Sequence, residues 1–288
     1  MKATQLIITC ILILMCYGLY GQSYEAAVAY PIEGIKIDGD LKEWPQSLKT
    51  YPINQLAFGD ITEENDLKGF FKIAYQAKKN ILYLGVEVVD SDIQTPADAN
   101  NIDLTDHMYL YLDPTHSPEG GSRMLFIAGA KQRDYAPAHA KTWSPYTPKL
   151  DWEDVNLAIK QKGATTTYEW AINLGDNFQT NSVIGLDIIL VDHDSKDEGN
   201  SWMLWKPGTG KSDGYQRLGE VYLADDRVKL GSLAGKIVIK DTLVKSFNSL
   251  NVQSSENPNF WLRTQVDQNG NFQCQLPPGT YKLKPDVL

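Results

Sequence analysis

Phe70-Phe71-Lys72-Ile73-Ala74-Tyr75 and Ile81-Leu82-Tyr83-Leu84-Gly85-Val86-Glu87-Val88-Val89 stand on either side of Gln76-Ala77-Lys78-Lys79-Asn80. Leu82, Leu84, Val86 and Val88 repeat at a period of two, which puts them on one face of a strand. The polar linker between two such runs predicts a hairpin. Outward from this pair the same grammar recurs. Met108, Leu110 and Leu112 alternate with Tyr109 and Tyr111, and Met124 to Ala128 follows the turn-rich stretch Pro114 to Ser122. Leu157 to Lys162, Thr166 to Ile172, Ile184 to Asp192, Trp202 to Trp205 and Gly219 to Leu223 supply five more candidate strands. Leu174 to Phe178 reads as a short helical turn. Short alternating segments bounded by Gly, Pro, Asn and Asp predict an all-β chain, an antiparallel β-sandwich of immunoglobulin or jelly-roll type.

The pattern breaks around Ala224-Asp225-Asp226-Arg227. A second, small β-sandwich unit is predicted over 227–288, with a tight turn at Asn269-Gly270 and a reversal at Pro278-Gly279. A unit of that size has little core of its own, so it is expected to pack on its neighbour or to continue in a longer chain.

Residues 1–21 carry Lys2, an apolar run from Leu6 to Leu14 and small Gly21, the layout of a secretory signal peptide. The run falls short of the roughly 20 apolar residues that span a bilayer. The expected destination is therefore outside the cytoplasm: periplasm, cell surface or medium. With Cys10 and Cys16 in that leader, Cys274 remains alone and no internal disulfide forms. The formal charge of −9 excludes nucleic acid as a natural partner. Seven Trp and fifteen Tyr invite a different ligand, because aromatic faces stack on the apolar faces of sugar rings as well as filling cores.

Signatures of catalysis are missing from the sequence. His107, His116, His139 and His193 lack metal-ligand spacing, and neither a G-x-S-x-G elbow nor S-x-x-K occurs. Gly208-Thr209-Gly210-Lys211-Ser212 lacks the full glycine spacing of a phosphate loop. Asp192, Asp194, Asp197, Glu198 and Asn200 crowd one loop, with Asp90 and Asp92 on another. Hard oxygen donors at that density suit calcium, and a solvated acidic loop is the alternative; Asp192, Asp194 and Asp197 are the candidate ligands.

Ile37-Asp38-Gly39-Asp40-Leu41-Lys42-Glu43-Trp44 resembles the opening motif of family 9 carbohydrate-binding modules and their DOMON-like relatives. The resemblance continues in order through Asn80 to Leu84, Val88 to Asp92, Asp106 to Asp113, Tyr168 to Ile172, Ile184 to Asp187, and Trp202 to Trp205 ahead of Leu218-Gly219-Glu220-Val221. It implies a two-sheet sandwich over 22–226 that binds oligo- or polysaccharide, does no catalysis, accompanies glycoside hydrolases and sometimes holds structural calcium. The unit over 227–288 is similar to carboxypeptidase-regulatory-like or transthyretin-like sandwiches, which implies a spacer.

The resemblance implies a stacking role for Trp205. The family's second stacking aromatic is replaced here by Ile102-Asp103-Leu104, and Met124 and Phe126 stand where hydrogen-bonding side chains would serve a sugar. Trp143, Tyr146 and Trp152, in the long Pro-rich loop from Asp134 to Asp154, are the expected replacement wall, with Tyr109 beside them. Two other readings stay open: a structural or interaction module that has lost its sugar site, and a glycoside-processing enzyme with a facing carboxylate pair. Trp44 is expected to anchor the terminus, and Asp38 and Asp40 to shape a turn around Gly39.

Overall fold

The computed structural model describes residues 25–61, 66–95, 105–116, 123–129, 141–143, 152–194, 200–211, 218–225, 229–238, 249–257 and 260–285, without the side chains of 123–128, 141–143 and 152. The first strands are β1 (Ala27–Pro31), β2 (Tyr51–Ile53) and β3 (Gln55–Phe58). The hairpin that decided the fold follows as β4 (Leu67–Gln76) and β5 (Ile81–Asp90). They are joined by a single 3-10 turn over Ala77–Lys79, and Asn80 takes a left-handed conformation at the reversal. Next come β6 (His107–Asp113), β7 (Arg123–Gly129) and β8 (Lys141–Trp143). The first unit ends with β9 (Val155–Lys162), β10 (Thr165–Asn173), β11 (Val183–Asp192), β12 (Ser201–Leu204) and β13 (Gly219–Leu223). The helical turn expected after β10 is a 3-10 turn over Gly175–Asn177.

These thirteen strands make two layers. In the first sheet β8, β7, β6, β11 and β13 lie side by side, with β12 and then β3 branching from β11; in the second, β2 and β4 join β5, β10 and β9. The first strand belongs to both layers. Ala27 to Ala29 pair with β13, and Tyr30 and Pro31 with β4, in each case parallel rather than in the antiparallel sense expected for the whole sandwich. A short terminal strand is free to run parallel because no tight turn ties it to either neighbour.

Between the layers lies one core. Met108, Leu110 and Leu112 of β6 and Ile184, Leu186 and Ile188 of β11 face Phe71 and Ile73 of β4, Leu82, Leu84 and Val86 of β5, and Trp170 of β10. The alternation read from the sequence is thus the alternation of burial. In β11 even the outward residues are buried, so a second set of contacts covers part of that sheet's outer face.

Part of that cover is the C-terminal unit, built from β14 (Gly231–Lys236), β15 (Ser249–Ser254), β16 (Trp261–Gln265), β17 (Asn271–Leu276) and β18 (Tyr281–Pro285). β14 pairs with β17, and β15 lies between β16 and β18. The unit shares a cluster with the sandwich: Val252, Phe260, Leu262 and Leu276 pack with Val183 and Tyr222. Phe260 meets Tyr222 edge-on at 5.0 Å. Trp261 lies flat on His116 at 4.3 Å and donates its indole N–H to the His116 carbonyl at 2.9 Å.

The second sheet is covered differently. Ile32, Ile35, Ile37 and Leu41 of the N-terminal segment pack with Trp44 on Ala74 and Tyr83. Trp44 is buried, and its indole N–H donates to Glu169 Oε1 at 2.9 Å. The other oxygen of that buried carboxylate accepts from the amides of Asp38 and Gly39 at 2.8 and 2.9 Å. Asp38 in turn accepts from the amide of Asp40, and Asp40 from that of Lys42. Gly39 has φ of +78°, and a Cβ there would stand 2.7 Å from the Cβ of Lys160, so the turn needs glycine for both reasons. Hence the opening motif is structural: an anchor, a turn and a buried acceptor.

Candidate functional site: an aromatic ledge and an acidic cluster

Trp205 does not face solvent. It is 3% exposed, meets Phe71 edge-on at 4.9 Å and 74°, and continues the pairing with β11 through its amide to the Ile188 carbonyl. Its expected stacking role is corrected to a core role. Alternation puts Met203 and Trp205 on one side of the strand and Trp202 and Leu204 on the other, and the side carrying Trp205 is the one between the sheets. The indole fits because residue 219 is glycine: a Cβ there would lie 2.5 Å from Trp205 Cζ3.

Trp202 takes the outward place. On β12 it stands 6.0 Å from Tyr109 of β6, which is flanked by Tyr111 at 6.5 Å and by the edge-on His107 ring at 4.8 Å. Buried Ile189, Val191 and Leu204 form the floor beneath these partly exposed rings. At the outer edge β3 places Phe58 opposite Trp202. Phe58 is 61% exposed. The Trp202 indole N–H is itself buried and has no hydrogen-bond partner among the described residues. Partly exposed rings tilted by 52–56° to one another over an apolar floor suit a ligand that presents C–H faces.

Tyr109 is therefore the predicted aromatic that stands on this ledge. Trp143 belongs to β8, whose backbone pairs it with Arg123, and Trp152 opens a 3-10 turn over Trp152–Asp154. The side chains of both, and Tyr146 altogether, lie outside the described residues. Trp202 and Phe58 are the members that the sequence reading left aside. Trp202 is equivalent to Trp205 until burial separates them, and Phe58 belongs to a four-residue strand with little alternation.

Between the ledge and the C-terminal unit runs a seam of buried charge. Lys211 pairs with Asp187 at 2.5 Å and donates to the Lys206 carbonyl at 2.8 Å, while Lys206 pairs with Glu220 at 3.3 Å. Burial acts to raise the Glu220 carboxyl, but the Lys206 charge, the hydrogen bond and charge of His116 and the charge of Arg263 together outweigh it and hold the group at about 2. Lys211, the lysine of the Gly-rich loop, is thus committed to a carboxylate and not to a phosphate.

A second constellation closes one end of the sandwich. Asp90 ends β5, Asp192 ends β11, and Asp106 immediately precedes β6; one oxygen of each lies within 4.8 Å of the others. Asp66 and Asp194 gather around Asp192 in the same way. Asp106 accepts from the amides of His193 and Gln94, and Asp90 from that of Asp92. Desolvation, reinforced by Asp90, pushes the Asp106 carboxyl up to about 9, and desolvation with the same neighbour pushes Asp192 up to about 8. Among the described residues, buried Asp192 Oδ1 has no hydrogen-bond partner. Two such triads of carboxylates sharing Asp192 fit a divalent cation of the hard, oxygen-seeking kind. Of the predicted ligands, Asp192 and Asp194 belong to this cluster and Asp197 lies outside the described residues. Asp66 and Asp106, which the sequence reading missed, complete it from loops remote in sequence.

Comparison with solved structures places this architecture. The sandwich superposes on a family 9 carbohydrate-binding module from Caldicellulosiruptor kristjanssonii in complex with cellotriose, with a TM-score of 0.56 and 15% identity over 70% of this chain and 94% of that one. The glucose complex of a family 9 module from the same organism gives a TM-score of 0.54 and 15% identity, covering 68% and 94% of the two chains. At that identity the likeness is one of fold. No curated protein matches the chain. Residues 37–226, from the first residue of the Ile-Asp-Gly-Asp motif to the acidic pair beyond β13, match the family model described as carbohydrate family 9 binding domain-like, and with two thirds of its length so matched the chain belongs to that family.

Proposed function

We propose that this chain is an exported, non-catalytic carbohydrate-binding module that seats a sugar ring on the ledge of Trp202, Tyr109 and Tyr111, with Phe58 at its rim. The observation that carries the reading is the partly exposed indole of Trp202, outward beside Tyr109 and Tyr111, in a chain of a carbohydrate-binding family. The cellotriose and glucose complexes of its structural neighbours favour a neutral glucan as the first ligand to try. Each stacked ring is worth about 1–3 kcal/mol by analogy with bases on aromatic platforms. Periplasm, cell surface or medium is the proposed location. The C-terminal unit serves as a spacer, and the partner activity, on a separate chain or domain, is glycoside hydrolysis.

Calcium belongs to the same proposal as a structural ion. Asp90, Asp106, Asp192, Asp66 and Asp194 would hold it, and the ion would supply the positive charge that lets these buried carboxylates ionise.

The test is calorimetric titration of the purified chain with glucose and with cello-, xylo- and manno-oligosaccharides. Binding to one series, reduced at least about tenfold in Trp202→Ala, is the expected result. Silence across all of them would leave the scaffold reading, which the burial of Trp205 favours. Undiminished binding in Trp202→Ala would move the site to the Trp143, Tyr146 and Trp152 loop.

A further inference from the structure

On the opposite face of the sandwich, the half of the second sheet left bare by the N-terminal segment forms a groove of about 930 Å³. Its middle row runs straight across the strands: Phe70 of β4, Glu87 of β5, Thr167 of β10 and Lys160 of β9 stand in register. Lys72 flanks this row on one side; Thr165 and Lys162 flank it on the other. The turn carrying Asp40 and Lys42 closes one end. Phe70 is 37% exposed, a lone aromatic in a polar surface.

The charge of this groove is opposite to that of the molecule. Four lysines, Lys42, Lys72, Lys160 and Lys162, face two carboxylates, Asp40 and Glu87, in a chain whose formal charge is −9. Asp40 is already held by Lys42 at 2.8 Å and Lys160 at 3.3 Å. No ion pair or hydrogen bond of the Lys72 or Lys162 side chain occurs among the described residues. A concave, locally positive strip on an acidic protein concentrates anions there. The two available ammonium groups arise from strands three inter-strand spacings apart, about 14 Å, and from positions four residues apart along them, about 13 Å, so they match charges spread along an extended ligand better than one compact anion. Glu87 in the middle row, together with Thr165 and Thr167, offers partners to hydroxyl groups. Phe70 adds a face for a ring.

We propose that this groove is a second binding site, for a carboxylate-bearing polysaccharide chain, in which Lys72 and Lys162 take uronate carboxylates, Thr165, Thr167 and Glu87 take hydroxyls, and Phe70 lies against one sugar ring. The site is independent of the aromatic ledge, from which it is separated by the full thickness of the sandwich. The two ligands are expected to bind without competition.

The experiment uses the purified full chain and polygalacturonate as the probe, in affinity electrophoresis and calorimetry at low and physiological salt. Expected are retardation that weakens with added salt, no retardation by fully methyl-esterified pectin, at least a tenfold loss of affinity in K72E/K162E, and retention in K72R/K162R. Phe70→Ala is expected to lose several-fold, and Trp202→Ala nothing. Thermal melts keep a folding defect from passing as lost binding. Failure of the wild type to bind polygalacturonate overturns the proposal, as does unchanged affinity in K72E/K162E. Loss in Trp202→Ala would assign the chain to the ledge instead. Equal or tighter binding of single-stranded DNA, or of a sulfated glycan, would overturn the uronate assignment in favour of unspecific charge attraction. Glucan binding at the ledge is scored separately and stands or falls without affecting any of these outcomes.

Discussion

The two outer faces of the sandwich are each half covered, and the covers differ in kind. On the second sheet the N-terminal segment is fastened by one buried carboxylate, Glu169, which collects the Trp44 indole N–H and the amides of Asp38 and Gly39. On the first sheet the C-terminal unit is fastened by rings, Phe260 on Tyr222 and Trp261 on His116, beside a seam of buried ion pairs. The bare halves differ as sharply: three partly buried aromatic rings on a hydrophobic floor on one side, lysines and threonines around a single Phe70 on the other. Covering a face with apolar side chains leaves only its remainder for ligands. The chemistry of each remainder then sets the class of ligand it takes.

The comparison can be broken at several points. Glu169→Ala strands three donors at once, two of them buried, and at about 1–3 kcal/mol for each buried unsatisfied group it is expected to be the most destabilising change; Glu169→Gln, which keeps one acceptor oxygen, recovers part of the loss in urea denaturation. Trp205→Ala comes next at about 3–5 kcal/mol. Trp202→Ala, on the same strand but facing out, should move the urea midpoint far less while removing sugar affinity. Equal destabilisation by the two tryptophan variants would erase the distinction between core and ledge.

The acidic cluster joins the two sheets at one end and sharpens the comparison through pH. Asp106 and Asp192 titrate near 4 when unfolded and are raised to about 9 and about 8 in the fold. Chelator-treated protein therefore holds protons between those values that the unfolded chain has lost. The resulting stability is complete below pH 4 and is lost as pH rises through 8 and 9. Melting temperature with chelator should fall across this window. Calcium at a hundredfold excess over its pH 8 Kd should restore about 2.7 kcal/mol at pH 8, and the same concentration less at pH 5, where protons compete for the carboxylates. A melting temperature indifferent to calcium at pH 8 would remove the ion from the proposal. Trp261→Ala, which unstacks His116, is expected to cost a further about 0.5–1.5 kcal/mol beyond the area it exposes. Lys72→Ala and Lys162→Ala should stay within about 0.5 kcal/mol of the wild type, since neither supports the cover beside it.

Much of this was legible in the residues. The hairpin of β4 and β5 and the helical turn after β10 follow from spacing and turn chemistry, and the reversal at Asp267 to Asn271 from its Asn-Gly pair. Local rules act through neighbours in the chain, and these features need no others. The parallel pairings of β1, and strands as short as β2 and β3, left no such trace, because their partners lie far away in sequence. Three of the five aspartates of the cluster, Asp90, Asp192 and Asp194, were visible as acidic loops. Asp66 and Asp106 were not, since only the closing of the two sheets brings them to Asp192.

By itself the sequence determined that this chain is made of strands, that it carries the ordered motifs of a sugar-binding family, and that Trp202 and Trp205 must point in opposite directions. Alternation fixes such relative phases because successive side chains of a strand leave on opposite sides. Which side meets the core is a property of the partner sheet, and only the tertiary structure decided that Trp205 is enclosed, that Trp202 faces outward, and that the two bare half-faces carry opposite chemistries.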